Sequence, residues 1–152
     1  MGMRHINRAM FTVLCWILCA YAGDGLVTIK SAYDVKGTAD RLADVLEANG
    51  LTVFNRIDHA EGAKKAEQTL RPTELILFGN PKVGTPLMQC AQSMGIDLPQ
   101  KALVWEDETG QVWLTYNDPA YLAERHGITE CAKAIPKIQQ ALRKFAMSVT
   151  QP

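Results

Sequence analysis

Glu74-Leu75-Ile76-Leu77-Phe78-Gly79-Asn80-Pro81-Lys82-Val83-Gly84-Thr85-Pro86-Leu87-Met88 opens as an apolar run, breaks at Gly-Asn-Pro and resumes with helical spacing. Beyond it, Asp97-Leu98-Pro99-Gln100-Lys101 leads into a second apolar run, Ala102-Leu103-Val104-Trp105-Glu106. The order is strand, polar loop, helix, strand, with the densest turn chemistry of the chain in the loop. Leu75 to Phe78 is apolar without alternation, which predicts a strand covered on both faces. Thr85-Pro86 predicts the helix start, with Thr at the N-cap and Pro at the first helical position, where no hydrogen bond is lost. From that start Leu87, Cys90, Ala91 and Met94 face inward, and Gly95 ends the helix.

Working upstream, Leu26 to Lys30 alternates as a half-buried strand does. Asp34 is placed to cap a helix whose apolar positions Ala39, Leu42, Ala43 and Leu46 share one side, and Asn49-Gly50 ends it. Leu51 to Ile57 reads as a strand closed by Asp58-His59, and Glu61 to Leu70 as a short helix stopped by Pro72. Downstream, Ala102 to Glu106 and Gln111 to Tyr116 form a hairpin around Asp107-Glu108-Thr109-Gly110. Asp118-Pro119 starts a helix ending at His126-Gly127, and Pro136 starts the last one, striped by Ile138, Leu142, Phe145 and Val149. In the hairpin, Val104, Val112, Leu114 and Tyr116 fall on one side, and Leu103, Trp105 and Trp113 on the other. Tryptophans on the second side of a sheet mark an interface, or else sit under a local helix or loop.

A chain of 152 residues holds one domain. Arg4 and Arg8, an apolar run from Ala9 to Cys19, and Ala20-Tyr21-Ala22 before Gly23 follow the order of a secretory signal peptide. The run is too short to span a bilayer. The expectation is a leader over 1–22, a single domain over 23–152, and a periplasmic or secreted protein. Without the leader, 14 basic residues face 16 acidic ones, a net charge of −2 that gives no grip on nucleic acid. Cys90 and Cys131 remain, in an oxidising compartment that favours bridging them. Such a bridge contributes about 4 kcal/mol on the chain-entropy argument.

Phe78 to Met88, Asp97-Leu98-Pro99 and Leu103-Val104-Trp105-Glu106-Asp107 resemble the signature of the domain of unknown function 302 family. Phe54-Asn55-Arg56-Ile57-Asp58-His59-Ala60 and Leu70-Arg71-Pro72-Thr73-Glu74-Leu75 are similar to its other recurrent segments, in the same order, so that the match covers about 26–146. The resemblance implies a two-layer α+β fold of the TATA-box-binding-protein-like kind, with helices on a largely antiparallel sheet. It implies no activity, and DNA binding does not follow from the fold.

Gly79 to Thr85 has the glycine spacing of a phosphate loop but lacks the lysine after the second glycine, and Pro86 removes an N–H. A weaker anion site remains open, built from Lys82 and the N–H groups of Gly84 and Thr85. The plainer reading is a structural turn, with glycines at positive φ and Asn80 bonded to nearby backbone. His59 beside Asp58 suits a general base, and would join Asn80, Lys82, Glu106 and Asp107 if those strand ends meet. The plainer reading is Asp58 as a helix cap with His59 exposed. Neither metal-ligand spacing nor a cofactor motif is present. Two functions follow: an exported module binding a small ligand or a partner through the tryptophan side, which also predicts a homodimer; or an enzyme using His59 and the Gly79–Thr85 loop on a small anionic substrate.

Overall fold

Alternation along the strands determines the architecture. In the computed structural model, which describes residues 25–152, the elements run β1 (Leu26–Lys30), α1 (Val35–Ala48), β2 (Thr52–Asp58), α2 (His59–Lys65), β3 (Thr73–Gly79) and α3 (Pro81–Cys90). A 3-10 turn (Gln92–Ile96), β4 (Gln100–Glu106), β5 (Val112–Asn117), α4 (Pro119–Arg125), a second 3-10 turn (Ala132–Ala134) and α5 (Ile135–Thr150) complete the chain. The leader expected over 1–22 lies outside the described residues.

The strands form one sheet in the order β1-β5-β4-β3-β2, antiparallel at every pairing. Ile76, Phe78, Ala102, Val104, Leu114 and Tyr116 point to one side and meet Ala39, Leu42 and Leu46 of α1 and Leu142, Ala146 and Val149 of α5. This is the two-layer α+β fold that the family resemblance implies. A second cluster, including Leu87, Met94, Leu122 and Ile135, packs α3, the first 3-10 turn and α4 against the start of α5. Ile138 touches both clusters, so α5 joins the two cores.

Turn chemistry behaves as read at several points. Asp34 caps α1 and Asp118 caps α4 through their side chains. Gly50, Gly110 and Gly127 hold positive φ where a helix ends or the hairpin turns.

Three expectations are corrected. The continuous run in β3 is not covered on both faces: Ile76 and Phe78 are buried, whereas Leu75 and Leu77 are only half-buried on the other side of the sheet. The helix read from Glu61 to Leu70 is the shorter α2, and Leu70 is left exposed. Third, α3 begins at Pro81 and not at Pro86.

Candidate functional site

The early start of α3 shapes the loop after β3. Asn80-Pro81 and Thr85-Pro86 both satisfy the pattern of a capping residue before proline, and the first one prevails. Asn80 Oδ1 accepts from Lys82 N at 2.9 Å, and Asn80 Nδ2 donates to Gly50 O at 3.0 Å, fixing the helix start to the turn after α1. Gly84 N then donates to Asn80 O at 3.0 Å as part of the helix. The anion site that needed a free Gly84 N–H is therefore not formed. Gly79 and Gly84 also lack positive φ, so their role is not the turn geometry expected of them. Gly84 lies against Leu98, where a Cβ would come within 3.4 Å of a leucine methyl.

What the loop does form is one wall of a cleft of about 860 Å³. Residues 79–88 supply that wall; Phe78, Leu98, Pro99 and Gln100 supply the floor; Ile138, Ala141, Leu142 and Phe145 of α5 face them. The lining is mainly apolar, and Asn80, Thr85, Lys82 and Lys137 bring polar groups to it, both lysines being exposed. Volume and lining are those of a small-molecule site. A β-bulge adds to it. Val53 pairs with Phe78 and Asn55 with Leu77, leaving Phe54 as the extra residue on β2. Bulges re-aim side chains, and Phe54, 53% exposed, lines the cleft beside Gly79.

Asp58 and His59 do not reach this site. Thr52 pairs with Gly79 at one end of the β2–β3 ladder and Asp58 with Glu74 at the other, about 20 Å apart at the rise of a strand. Asp58 caps α2 by accepting from Glu61 N at 2.8 Å, and His59 is exposed. Glu106 and Asp107 lie at that same far end, so the cluster of His59 with Asn80 and Lys82 is not assembled. Asp107 instead organises the hairpin. It accepts from Trp113 Nε1 at 2.8 Å and Thr109 Oγ1 at 2.7 Å, which hold its carboxyl well below the usual carboxylate range.

Leu103, Trp105 and Trp113 stand on the side of the sheet away from α1 and α5, half-buried, with the two tryptophans paired across β4 and β5. Trp105 Nε1 donates to Thr115 Oγ1 at 3.0 Å. Cys90 and Cys131 are joined, their Cα atoms 6.4 Å apart, within the range that a disulfide needs. Cys90 is exposed and not inward-facing as the helix read from Thr85 requires. The pair connects the end of α3 to the segment entering α5, the two walls of the cleft, and Cys131 lines it.

The family model for the domain of unknown function DUF302 matches residues 27–145. The chain belongs to the DUF302 family. Over 104 residues it is 54% identical to the Fluoride-specific ion channel FluC 1 of Brucella suis biovar 1 (strain 1330), covering 68% of this chain and 41% of that protein. The FluC 1 of Brucella abortus biovar 1 (strain 9-941) matches at 54% over 104 residues, 38% of its length. This chain thus spans about two fifths of the length of the curated relatives it matches. A crystal structure of an uncharacterized conserved DUF302 protein from Bacillus stearothermophilus shares the fold, with a TM-score of 0.68 at 17% identity, covering 84% of this chain and 97% of that one.

One polar cluster of this DUF302 chain escapes sequence reading. His126 Nε2 lies 2.6 Å from Asp97 Oδ2, His126 Nδ1 lies 2.9 Å from Ser93 Oγ, and Arg125 Nη1 donates to Asp97 Oδ1 at 3.3 Å. The imidazole is 6% exposed and both its nitrogens are engaged. His126 is the C-cap of α4, while Ser93 and Asp97 belong to the first 3-10 turn and its end, so the cluster pins one to the other. It does not line the cleft. Thirty-three positions separate Ser93 from His126, and no local motif links them. Among the described residues no group of three or more His, Cys, Asp or Glu is arranged to hold a metal ion.

Proposed function

We propose that this domain is an exported binding module for a small, mainly apolar ligand that carries an anionic group. The observation that carries the reading is the cleft of about 860 Å³ between residues 79–88 and α5, with Lys82 and Lys137 among its lining. Burying an apolar body there gives affinity at about 25 cal/mol per Å², and the lysines favour negative charge on its exposed end. The enzyme alternative loses its support, because His59 and the loop lie at opposite ends of β2 and β3. Export is supported by the leader pattern over 1–22 and accords with the paired cysteines. The relatives named as fluoride channels are about two and a half times as long as the matched segment, and we read that segment as a module attached to the channel. Among the described residues no helix is long and apolar enough to cross a membrane.

The test uses 1-anilinonaphthalene-8-sulfonate, an apolar anion whose fluorescence rises in a cleft. The folded wild type should bind it saturably. Ala141→Trp, filling the α5 wall, and Phe54→Ala, removing the bulge residue, should each weaken binding at least about fivefold, roughly 1 kcal/mol. Lys82→Ala with Lys137→Ala should weaken it by about twofold to fivefold, with the loss shrinking at high salt. Binding indifferent to both Ala141→Trp and Phe54→Ala would refute the cleft as the site.

We further propose that a second copy of the chain covers the tryptophan side of the sheet. Ile57, Leu75 and Leu103 lie in one row, and Trp105 and Trp113 in the next. This is a continuous apolar stripe that a two-fold axis matches to itself.

A further inference from the structure

Gln100 begins β4 opposite Phe78 of β3, on the helix-facing side of the sheet, and lines the cleft. It is 9% exposed, and its Oε1 has no hydrogen-bond partner. Among the described residues it is the one buried side-chain oxygen or nitrogen left in that condition. A buried acceptor without a donor keeps the full cost of its desolvation. Native structures leave few such groups, and each has a cause, such as a ligand, an ordered water or a role in chemistry. A methionine or leucine at this position would remove that cost and match the apolar lining around it.

We propose that Gln100 is the specificity-determining polar residue of the cleft, and that it binds a hydroxyl group on the apolar body of the ligand. The inference rests on the reading of the cleft as a ligand site and names the ligand class more closely. The orphaned atom is an acceptor, so the ligand must donate to it. An ionised carboxylate or sulfonate only accepts and cannot do so. A hydroxyl both donates and accepts, and therefore suits the carboxamide whichever way its two ends are turned. The ligand's two polar groups then separate: a neutral hydroxyl at Gln100, beside the buried Phe78, and a negative charge at the exposed Lys82 and Lys137. A hydroxylated aromatic or alicyclic acid has this arrangement.

Two uncharged probes of matched size test the hydroxyl alone: 2-naphthol and 2-methylnaphthalene, each measured by displacement of 1-anilinonaphthalene-8-sulfonate from the intact domain. The wild type should prefer 2-naphthol by about fivefold or more, the worth of one net hydrogen bond. Gln100→Met should abolish the preference, hold or improve the affinity for 2-methylnaphthalene, and melt no lower than the wild type. Gln100→Glu, which retains an acceptor, should retain the preference. Equal binding of both probes by the wild type overturns the inference, since the amide then holds only an ordered water. So does a Gln100→Met protein that keeps the preference, or one that fails to fold, because the amide is then structural. If neither probe displaces the sulfonate while the sulfonate binds, the Gln100 inference falls and the cleft reading stands. If the sulfonate does not bind at all, both fall.

Discussion

Asp107 shows how much a single residue can organise. Its carboxylate accepts from the Trp113 indole, the Thr109 hydroxyl and the backbone N–H groups of Thr109 and Gln111. The first of these bonds contributes most to lowering its pKa. A carboxyl depressed in the folded state stabilises above its unfolded value, near 4, and loses that contribution as pH falls through the folded value. The hairpin is therefore expected to weaken only in strong acid. Carboxyl-carbon NMR should find Asp107 still ionised at about pH 3, and Trp113→Phe should move its midpoint up toward the ordinary range. An unmoved midpoint would show that the indole is not the cause. At this scale legibility was uneven. Asp34, Asp58 and Asp118 could be named as caps because capping acts within three residues. Gln100 had a signal that was missed: it continues the inward alternation of Ala102 and Val104, so a polar residue sits at a core position. Beginning that strand at Ala102 hid it. His126 had no such signal, since Asp97 and Ser93 reach it only through the packing of two short helical segments.

Among the elements, the boundaries that failed are those where two local rules compete. Asn80-Pro81 and Thr85-Pro86 are equally good helix starts by sequence. Tertiary contacts decide between them, because Asn80 also holds the turn at Gly50. The cost is a proline inside α3, where Pro86 has no N–H to donate to the carbonyl of Lys82 one turn earlier. The bulge at Phe54 was similarly hidden. Strict alternation would place Asn55 with Leu51 and Val53, and the extra residue moves Asn55 to the other side. Elements separated in sequence are then joined by the cysteine pair, which spans 41 positions and links α3 to the segment before α5. Protein taken from the native host should fractionate outside the cytoplasm, with an intact mass beginning at Gly23 and two hydrogens short of the reduced chain. Alkylation without reductant should then label neither Cys90 nor Cys131. Two labelled cysteines would refute the bridge, and a cytoplasmic chain still carrying Met1 would refute export. If the bridge holds the cleft walls together, reduction should also weaken binding of the naphthalene sulfonate.

At the scale of the whole molecule, the sheet has one side under α1 and α5 and a second side whose apolar residues stay half-buried. The composition of β3 misled here: its unbroken apolar run suggested cover on both faces, yet α1 and α5 share a single side. Leu75 and Leu77 remain as apolar residues with no helix of that layer over them. Our prediction is that the wild type dimerises through this side. Because Trp105 and Trp113 are already half-buried, their further burial contributes only about 1 kcal/mol each at 25 cal/mol per Å². The row of Ile57, Leu75 and Leu103 must supply the rest against the entropic cost of association. A weak dimer follows, and sedimentation between about 10 and 300 micromolar should show its population rising with concentration. Trp113→Ala should shift the equilibrium to monomer while the chain stays folded, since Val112 and Leu114 keep their places under the helices. A wild type that is monomeric throughout that range sinks the proposal. A Trp113→Ala chain that unfolds does so as well, because the ring would then serve the hairpin and Asp107 rather than a second copy.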